Sequence, residues 1–365
     1  MVVTVEKLIS GGEGMGRIEG KPVFIPGVLP GEKVEIQITE EKPGFSRGVL
    51  VNILEASPHR VAPPCPLTGT CGGCSWQHLD GDYQRQQKAL LVQEGFKRLG
   101  AQVIPLPQVI FGDLWHYRHR IQVHRDAEGV TGFKAAASHK VVQVEFCPVL
   151  SPPLNGFLKS LPQSPGTSHR FLAFTDGKEV WAQGRDEEVS LRLLNKTIHF
   201  SLEGFFQSNL ELLPPLVNRV LELCGTGESV LDLYGGVGTF GTFLSDNFTQ
   251  VTVVEENKQA LALARKNVPR GQFFLGTVEE WIKTRMPRPQ VVLVDPPRTG
   301  LSTSVRKALI KMRPSKIVYV SCNPDTMARD SKDFAAGGYH LKTLEIFDFY
   351  PQTPHIEALG LWTLG

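Results

Sequence analysis

The sequence predicts an α/β protein: a doubly wound parallel sheet over its C-terminal part, preceded by a small β-barrel and a β-rich central segment. Three observations carry this. From residue 201 onward, apolar strand-like runs alternate with helical patterns, which is how a parallel sheet with crossover helices reads. Residues 1–57 are instead short β-branched runs separated by Gly/Pro turns. An apolar strand, "VLDL", leads directly into the Gly-rich turn "YGGVGTFG" at 234–241. The 365 residues allow two or three domains, and 41% hydrophobic with 21% charged residues is an ordinary globular composition. No run approaches the roughly 20 apolar residues of a membrane span, so no membrane partner is expected. The start "MVVTVEKLISGGEG" lacks the basic and apolar regions of a signal peptide, which places the chain in the cytoplasm, where disulfides are rare.

The elements follow in order. In 1–57, "VTVEKLI", "KPVFIPGV", "EKVEIQIT" and "SRGVLVNILEAS" are strands, and "SGGEGMG", "LPGE" and "EKPGF" are turns, as in a barrel of the OB type. Acids outnumber bases in this module, so any nucleic-acid contact it makes is local rather than bulk attraction. Residues 58–200 form a second region. It opens on a Pro-, Gly- and Cys-rich stretch and continues with a helix at 82–100, capped by Asp80 or Asp82, ended by Gly100 and expected to pack on the C-terminal domain. Strands and turns follow over 115–200, with 151–167 as a loop-rich connection. Residues 115–125, "WHYRHRIQVHR", gather Arg118, Arg120 and Arg125 among histidines and aromatics. The pattern suits phosphate contact and base stacking, and equally a solvated strand face. Residues 201–365 form the third region: a helix near 207–223, then "ESVLDLYGG", "QVTVVEEN", "QFFLGT", "PQVVLVDPPR" and "SKIVYVSCNP" as strands with helices between them.

Gly236, Gly238 and Gly241 match G-x-G-x-x-G, and Glu255 follows at about the spacing of a ribose-binding carboxylate. A nicotinamide oxidoreductase is therefore one reading. Asp232, an acid inside the strand end, points instead to an S-adenosylmethionine fold. Asp295 in "VVLVDPPRTG" and Cys322 in "KIVYVSCNP" also stand at strand carboxyl ends, the edge where open α/β sheets bind ligands. With Asp232 and Glu255 they make four polar residues converging on one edge.

Cys65, Cys71 and Cys74 are spaced C-x5-C-x2-C, and Cys147 precedes Pro148 in "VEFCPVL". Three cysteines in ten residues of a cytosolic chain suggest metal ligation, and four thiolates suit zinc or a 4Fe–4S cluster; spacing alone does not choose between them. Cys224 is left over as a structural helix residue.

"FFQSN", "DLYGGVGTFG", "DPPRTG", "SCNPDTMARD" and "PQTPHIE" occur in this order, and together they resemble the RNA 5-methyluridine methyltransferase family over essentially the whole chain. The N-terminal module resembles the TRAM domain carried by many of these enzymes. The resemblance implies a Rossmann-like methyltransferase domain that uses S-adenosylmethionine, with Gln207, Tyr234, Thr239, Glu255 and Asp295 shaping the cofactor pocket. The chemistry requires a thiol, a base and a methyl donor: uracil carbon 5 becomes nucleophilic once a thiolate adds at carbon 6, and the 5-proton must then leave. Cys322 is the expected nucleophile and Glu357 the expected base, in apolar surroundings that raise a carboxyl pKa. Phe205 and Phe206 are expected to stack on a flipped uracil, and Arg118, Arg120 and His355 to contact RNA. Gln352 departs from the family, which carries a histidine there. The resemblance also implies that Cys65, Cys71, Cys74 and Cys147 hold a 4Fe–4S cluster that organises the RNA-binding region. It implies 23S rRNA as substrate, with a tRNA T-loop uridine as the alternative; a monomer is expected. A non-catalytic RNA-binding module is a further reading, opposed by the presence of both Cys322 and Glu357.

Overall fold

The structure, a computed structural model, describes residues 1–161, 169–284 and 287–365. The strands β1 (Val2–Leu8), β2 (Gly14–Ile18), β3 (Lys21–Ile25), β4 (Lys33–Lys42) and β5 (Phe45–Glu55) close a barrel in the order β1-β2-β3-β5-β4. Alternation along these strands turns Val3, Val5, Val23, Ile25, Val34 and Ile36 inward, a period-2 core. The barrel is tied to the next segment by a partly buried ion pair, Arg60 Nε donating to Glu32 Oε1 at 2.5 Å and Nη2 to Oε2 at 2.8 Å.

Helix α1 (Gly81–Arg98) starts where Asp80 accepts from the Tyr83 backbone N–H at 2.8 Å, as a capping carboxylate does. Strand β6 (Gln108–Ile110) follows. The central sheet has the order β11-β10-β7-β8-β9, built from β7 (Arg120–Arg125), β8 (Thr131–Lys134), β9 (Val141–Gln143), β10 (His169–Thr175) and β11 (Val180–Ala182). Helix α2 (Pro152–Ser160) covers it with Leu154 and Leu158. This corrects the reading of 151–167 as a loop: Pro152 and Pro153 stand in the first turn, where the missing N–H costs nothing. Residues 162–167 of that stretch lie outside the described residues. A hairpin, β12 (Glu188–Leu193) and β13 (Lys196–Ser201), leads into the last region.

Helix α3 (Leu213–Cys224) begins six residues later than expected, again at prolines in its first turn. The preceding residues are held differently: Arg118 bridges to Asn209, and Asn209 Oδ1 accepts from the Leu212 N–H at 3.2 Å. The main sheet comprises β14 (Gly227–Leu233), β15 (Phe248–Glu255), β16 (Gln272–Leu275), β17 (Val291–Val294), β18 (Lys316–Ser321), β19 (Tyr339–Phe347) and β20 (Glu357–Leu364), together with β6. Between these strands run α4 (Thr239–Leu244), α5 (Lys258–Asn267), α6 (Val278–Thr284), α7 (Thr303–Met312) and α8 (Pro324–Ala336). The order is β16-β15-β14-β17-β18-β20-β19-β6. The first five strands are parallel and read as continuous apolar runs because both faces are covered. The sheet as a whole is mixed, since β20 runs antiparallel to both β18 and β19. Its two faces carry separate cores, one around α3, α4 and α5 and one around α1, α7 and α8. Helix α1 and strand β6 thus build onto the C-terminal sheet, although they lie in the 58–200 stretch.

Candidate active site

The carboxyl ends of the parallel strands open onto a cleft of about 1360 Å³. Strand β14 delivers the turn "YGGVG". Gly236 and Gly238 have φ of 55° and 76°, the left-handed region that glycine enters freely. Gly241 is needed for a different reason: a Cβ there would lie 3.1 Å from Asp232 Oδ2, the same atom that accepts the Gly241 N–H at 3.1 Å. Asp232 is therefore a buried brace beneath the turn. Burial, then the nearby Asp295, pushes its carboxyl up to about 7. Helix α4 has only six residues, so its N-terminus adds less to an anion site than the motif implied.

Glu255, the last residue of β15, accepts from the Gly236 N–H at 2.9 Å and the Asn257 N–H at 2.7 Å. It shapes the turn with both oxygens while lining the cleft. Gln207, Tyr234, Thr239 and Asp295 line the same cleft. Gln207 is 9% exposed, and its Oε1 has no hydrogen-bond partner among the described residues. A buried acceptor left unpaired is costly unless a ligand pairs it. Tyr234 holds a φ of 59°, strained for a residue with a side chain.

Cys322 follows β18 and Glu357 opens β20, and both line the cleft. These strands pair antiparallel with Ser321 opposite Ala358, so Cys322 and Glu357 occupy the next opposed positions. Burial raises the Glu357 carboxyl well above the usual range, and Asp295 adds to this. Burial also pushes the Cys322 thiol up to about 11, with Glu357 and Asp295 adding; Arg298 acts the other way. Asp295 itself is raised to about 7 by burial.

The segment after Cys322 holds the Asp295 loop in place. Asn323 Nδ2 donates to the Arg298 carbonyl at 2.8 Å, and Arg329 Nη2 to those of Thr299 and Leu301 at 3.1 and 3.0 Å. Asp330, fully buried, accepts from the Leu301 N–H at 2.8 Å and the Tyr319 hydroxyl at 2.9 Å. "SCNPDTMARD" is thus the Cys322 loop followed by the helix that fixes the neighbouring Asp295 loop.

Other expected residues fall elsewhere. Phe205 is 72% exposed at the cleft mouth. Phe206 also lines the cleft, but its ring lies flat on Phe200 at 3.9 Å between centroids and is 4% exposed, so most of it is packed into the core. Arg120 is committed to the protein too: Nη2 donates to the Leu202 and Gly204 carbonyls at 3.0 and 2.5 Å, pinning the loop that presents Phe205. His355 is exposed, edge-on to Tyr350 with centroids 6.0 Å apart. Cys65, Cys71, Cys74 and Cys147 line a second cavity, of about 210 Å³, and Arg118 lines it with them. Burial raises the Cys71 and Cys74 thiols and pushes Cys147 to about 11. Among the described residues, no three His, Cys, Asp or Glu side chains close up tightly enough to hold a single metal ion. Cys224 ends α3 and is buried.

Several cleft residues escaped the sequence reading. Asn257, Thr277 and Glu279 line the cleft just past β15 and β16, and Arg298 lines it past β17. Their signal was position alone, directly after strand ends. The loop 348–356 was read only through Gln352 and His355, yet it is held by several residues of the central region. Gln352 O accepts from the Ser75 and Trp76 N–H groups, and Tyr117 donates to Pro351 O at 3.1 Å. Lys88 Nζ donates to Asp348 Oδ1 at 2.5 Å.

Comparison with known proteins agrees with this geometry. Residues 1–51 match the TRAM domain, and residues 282–363 match the tRNA (Uracil-5-)-methyltransferase family. An uncharacterized RNA methyltransferase of Treponema denticola is 34% identical, covering 99% of this chain and 98% of that protein. The 23S rRNA (uracil(1939)-C(5))-methyltransferase RlmD of Shewanella amazonensis is 31% identical over 100% and 96% of the two chains. That of Shewanella woodyi is 33% identical over 97% and 94%. The crystal structure of Pyrococcus abyssi tRNA (uracil-54, C5)-methyltransferase with S-adenosyl-L-homocysteine superposes with a TM-score of 0.76, at 24% identity and full coverage of both chains. The chain belongs to the RNA uracil-5-methyltransferase family.

Proposed function

We propose that the protein methylates carbon 5 of a uridine in 23S rRNA, using Cys322 as nucleophile and Glu357 as base. The observation that carries this is the opposed placement of Cys322 and Glu357 at one edge of a cleft whose floor is the Gly236–Gly241 turn. Gln207, Tyr234, Thr239, Glu255 and Asp295 would hold S-adenosylmethionine; the unpaired Gln207 Oε1 and the bare backbone of the turn fit such a ligand. When bound, that cofactor supplies an electrophilic methyl group.

Cys322 Sγ adds to uracil carbon 6, which makes carbon 5 nucleophilic. After carbon 5 is methylated, Glu357 takes the proton that remains there. The carbon 6–sulfur bond then breaks, and Cys322 leaves as thiolate. A carboxyl held above its usual range is a stronger base when ionised, which suits a carbon acid. Phe205, exposed at the mouth, is placed to stack on a base taken out of its helix. His355 is exposed in the loop before β20 and available to RNA.

The relatives named above support 23S rRNA as the substrate, with a tRNA uridine as the contrasting outcome. The cavity lined by Cys65, Cys71, Cys74 and Cys147 is proposed to hold a 4Fe–4S cluster, which is larger than one ion and keeps its cysteines farther apart. Its role in this reading is to organise the loops around it, since methylation needs no electron transfer. In this reading the enzyme works as a monomer. It acts in the cytoplasm, and among the described residues no helix is long and apolar enough to cross a membrane.

The test is transfer of labelled methyl from S-adenosylmethionine to unmodified total RNA, followed by digestion to nucleosides. Label in 5-methyluridine, mapped to 23S rRNA, supports the proposal. Label mapped to tRNA moves the substrate, and no transfer to RNA overturns the function.

A further inference from the structure

Glu357 is reached through a loop that would have little reason to be rigid by itself. Residues 348–356 connect β19 to β20 without regular structure, and Gln352 in their middle has a φ of 66°. Much of what fixes this loop comes from outside the C-terminal domain. Gln84 on α1 is fully buried and forms a reciprocal amide pair with Gln352, which is 2% exposed. Gln84 Nε2 donates to Gln352 Oε1 at 3.0 Å, and Gln84 Oε1 accepts from the Gln352 N–H at 2.8 Å. The same Nε2 faces the Trp76 and Leu79 carbonyls at 3.2 and 3.0 Å. The Gln352 carbonyl in turn accepts from the Ser75 and Trp76 N–H groups at 3.1 and 2.9 Å, immediately after Cys74. One side chain therefore ties the cysteine loop, α1 and the base-bearing loop together. From Gln352 the path to Glu357 is short. Thr353 Oγ1 donates to the Tyr350 carbonyl at 2.7 Å and accepts from the His355 N–H at 3.2 Å, which closes the turn before β20.

We infer that Gln84 is a positioning residue for Glu357, acting through Gln352 to hold the base against the uracil carbon 5 proton. The inference rests on the proposed roles of Cys322 and Glu357. It makes a claim a merely structural residue would not satisfy: loss of Gln84 slows one step, proton removal from carbon 5, and spares the steps that precede it. Proton transfer demands close placement of base and proton, whereas thiol addition depends on the Cys322 loop, which α8 and the Arg298 carbonyl hold independently.

The experiment uses the full-length enzyme and a transcript carrying [5-³H]uridine, with methyl-¹⁴C-labelled S-adenosylmethionine. Tritium release reports proton removal. ¹⁴C in RNA reports methyl transfer, and ¹⁴C migrating with denatured protein reports the adduct waiting for its proton to leave. Gln84→Leu is expected to reduce tritium release by about tenfold or more while first-turnover methyl transfer stays near that of the parent, so methylated adduct accumulates. Its elimination profile should also lose its dependence on a raised carboxyl, the acid limb moving to lower pH as water reaches Glu357. Gln84→Glu keeps an acceptor for the Gln352 N–H and serves if Gln84→Leu does not fold; it should show the same separation, less severely. Tritium release and methyl transfer falling together without adduct, in the variant that folds, would overturn the inference alone. Absence of tritium release from the unaltered enzyme would overturn the proposed mechanism and this inference with it.

Discussion

The unliganded enzyme should carry an unreactive nucleophile. Cys322 is pushed up to about 11 from an ordinary value of 9.0 by burial, with the Glu357 and Asp295 carboxyls adding to it. At pH 7 this leaves roughly one thiol in ten thousand ionised, about a hundredfold below an ordinary cysteine. The perturbation is pH and the assay is alkylation by iodoacetamide, followed by mass spectrometry of the peptide carrying Cys322, so that the other five cysteines do not interfere. The rate constant should climb about tenfold per pH unit from 7 and level off only near 11. Arg298→Ala should slow it further, because Arg298 is the cation that favours the thiolate. A plateau reached below pH 8.5 would refute the reasoning and show a thiolate already activated by the fold.

Two further outcomes concern stability. Asp232 has a folded pKa of about 7 against an ordinary 3.8, so the folded state binds more protons than the unfolded state between those values. Stability therefore falls as pH rises from about 4 through 7, by up to about 4 kcal/mol, and Asp232→Asn should be more stable than the parent at pH 8 but not at pH 4 in urea titrations; equal midpoint shifts at both pH values would contradict this. Lys88 and Asp348 are both fully buried and paired at 2.5 Å. Lys88→Met leaves a buried carboxylate unpaired and should cost about 3–5 kcal/mol, and adding Asp348→Asn should recover most of it; an unchanged urea midpoint in the single variant would show the pair to be dispensable.

Much of this was legible in the residues. The apolar runs ending at Asp232, Glu255, Asp295 and Cys322 marked one sheet edge, because parallel strands buried on both faces cannot hide their pattern. The antiparallel pairing of β20 was not legible. "YPQTPHIEALGLW" reads as a tail until β18 supplies its neighbour, and only that pairing brings Glu357 opposite Cys322. The packing of Phe206 and Arg120 against the protein was hidden for a related reason. An aromatic or an arginine in a loop looks available until a distant partner, here Phe200 or the Gly204 carbonyl, claims it. Gln84 gave no signal at all, since a glutamine in a polar helix is unremarkable unless 268 residues later a loop returns to it. The late start of α3 was readable in hindsight from Pro214 and Pro215, which favour the first turn.

The central claim is that Cys322 attacks the uracil and Glu357 releases it. It is tested most directly by incubating the Glu357→Gln enzyme with RNA and S-adenosylmethionine, denaturing, digesting, and locating the RNA-linked peptide by mass spectrometry. The account predicts a methylated uracil bonded to Cys322. A crosslink at any other residue, or a Glu357→Gln enzyme that turns over like the parent and leaves no adduct, would contradict it.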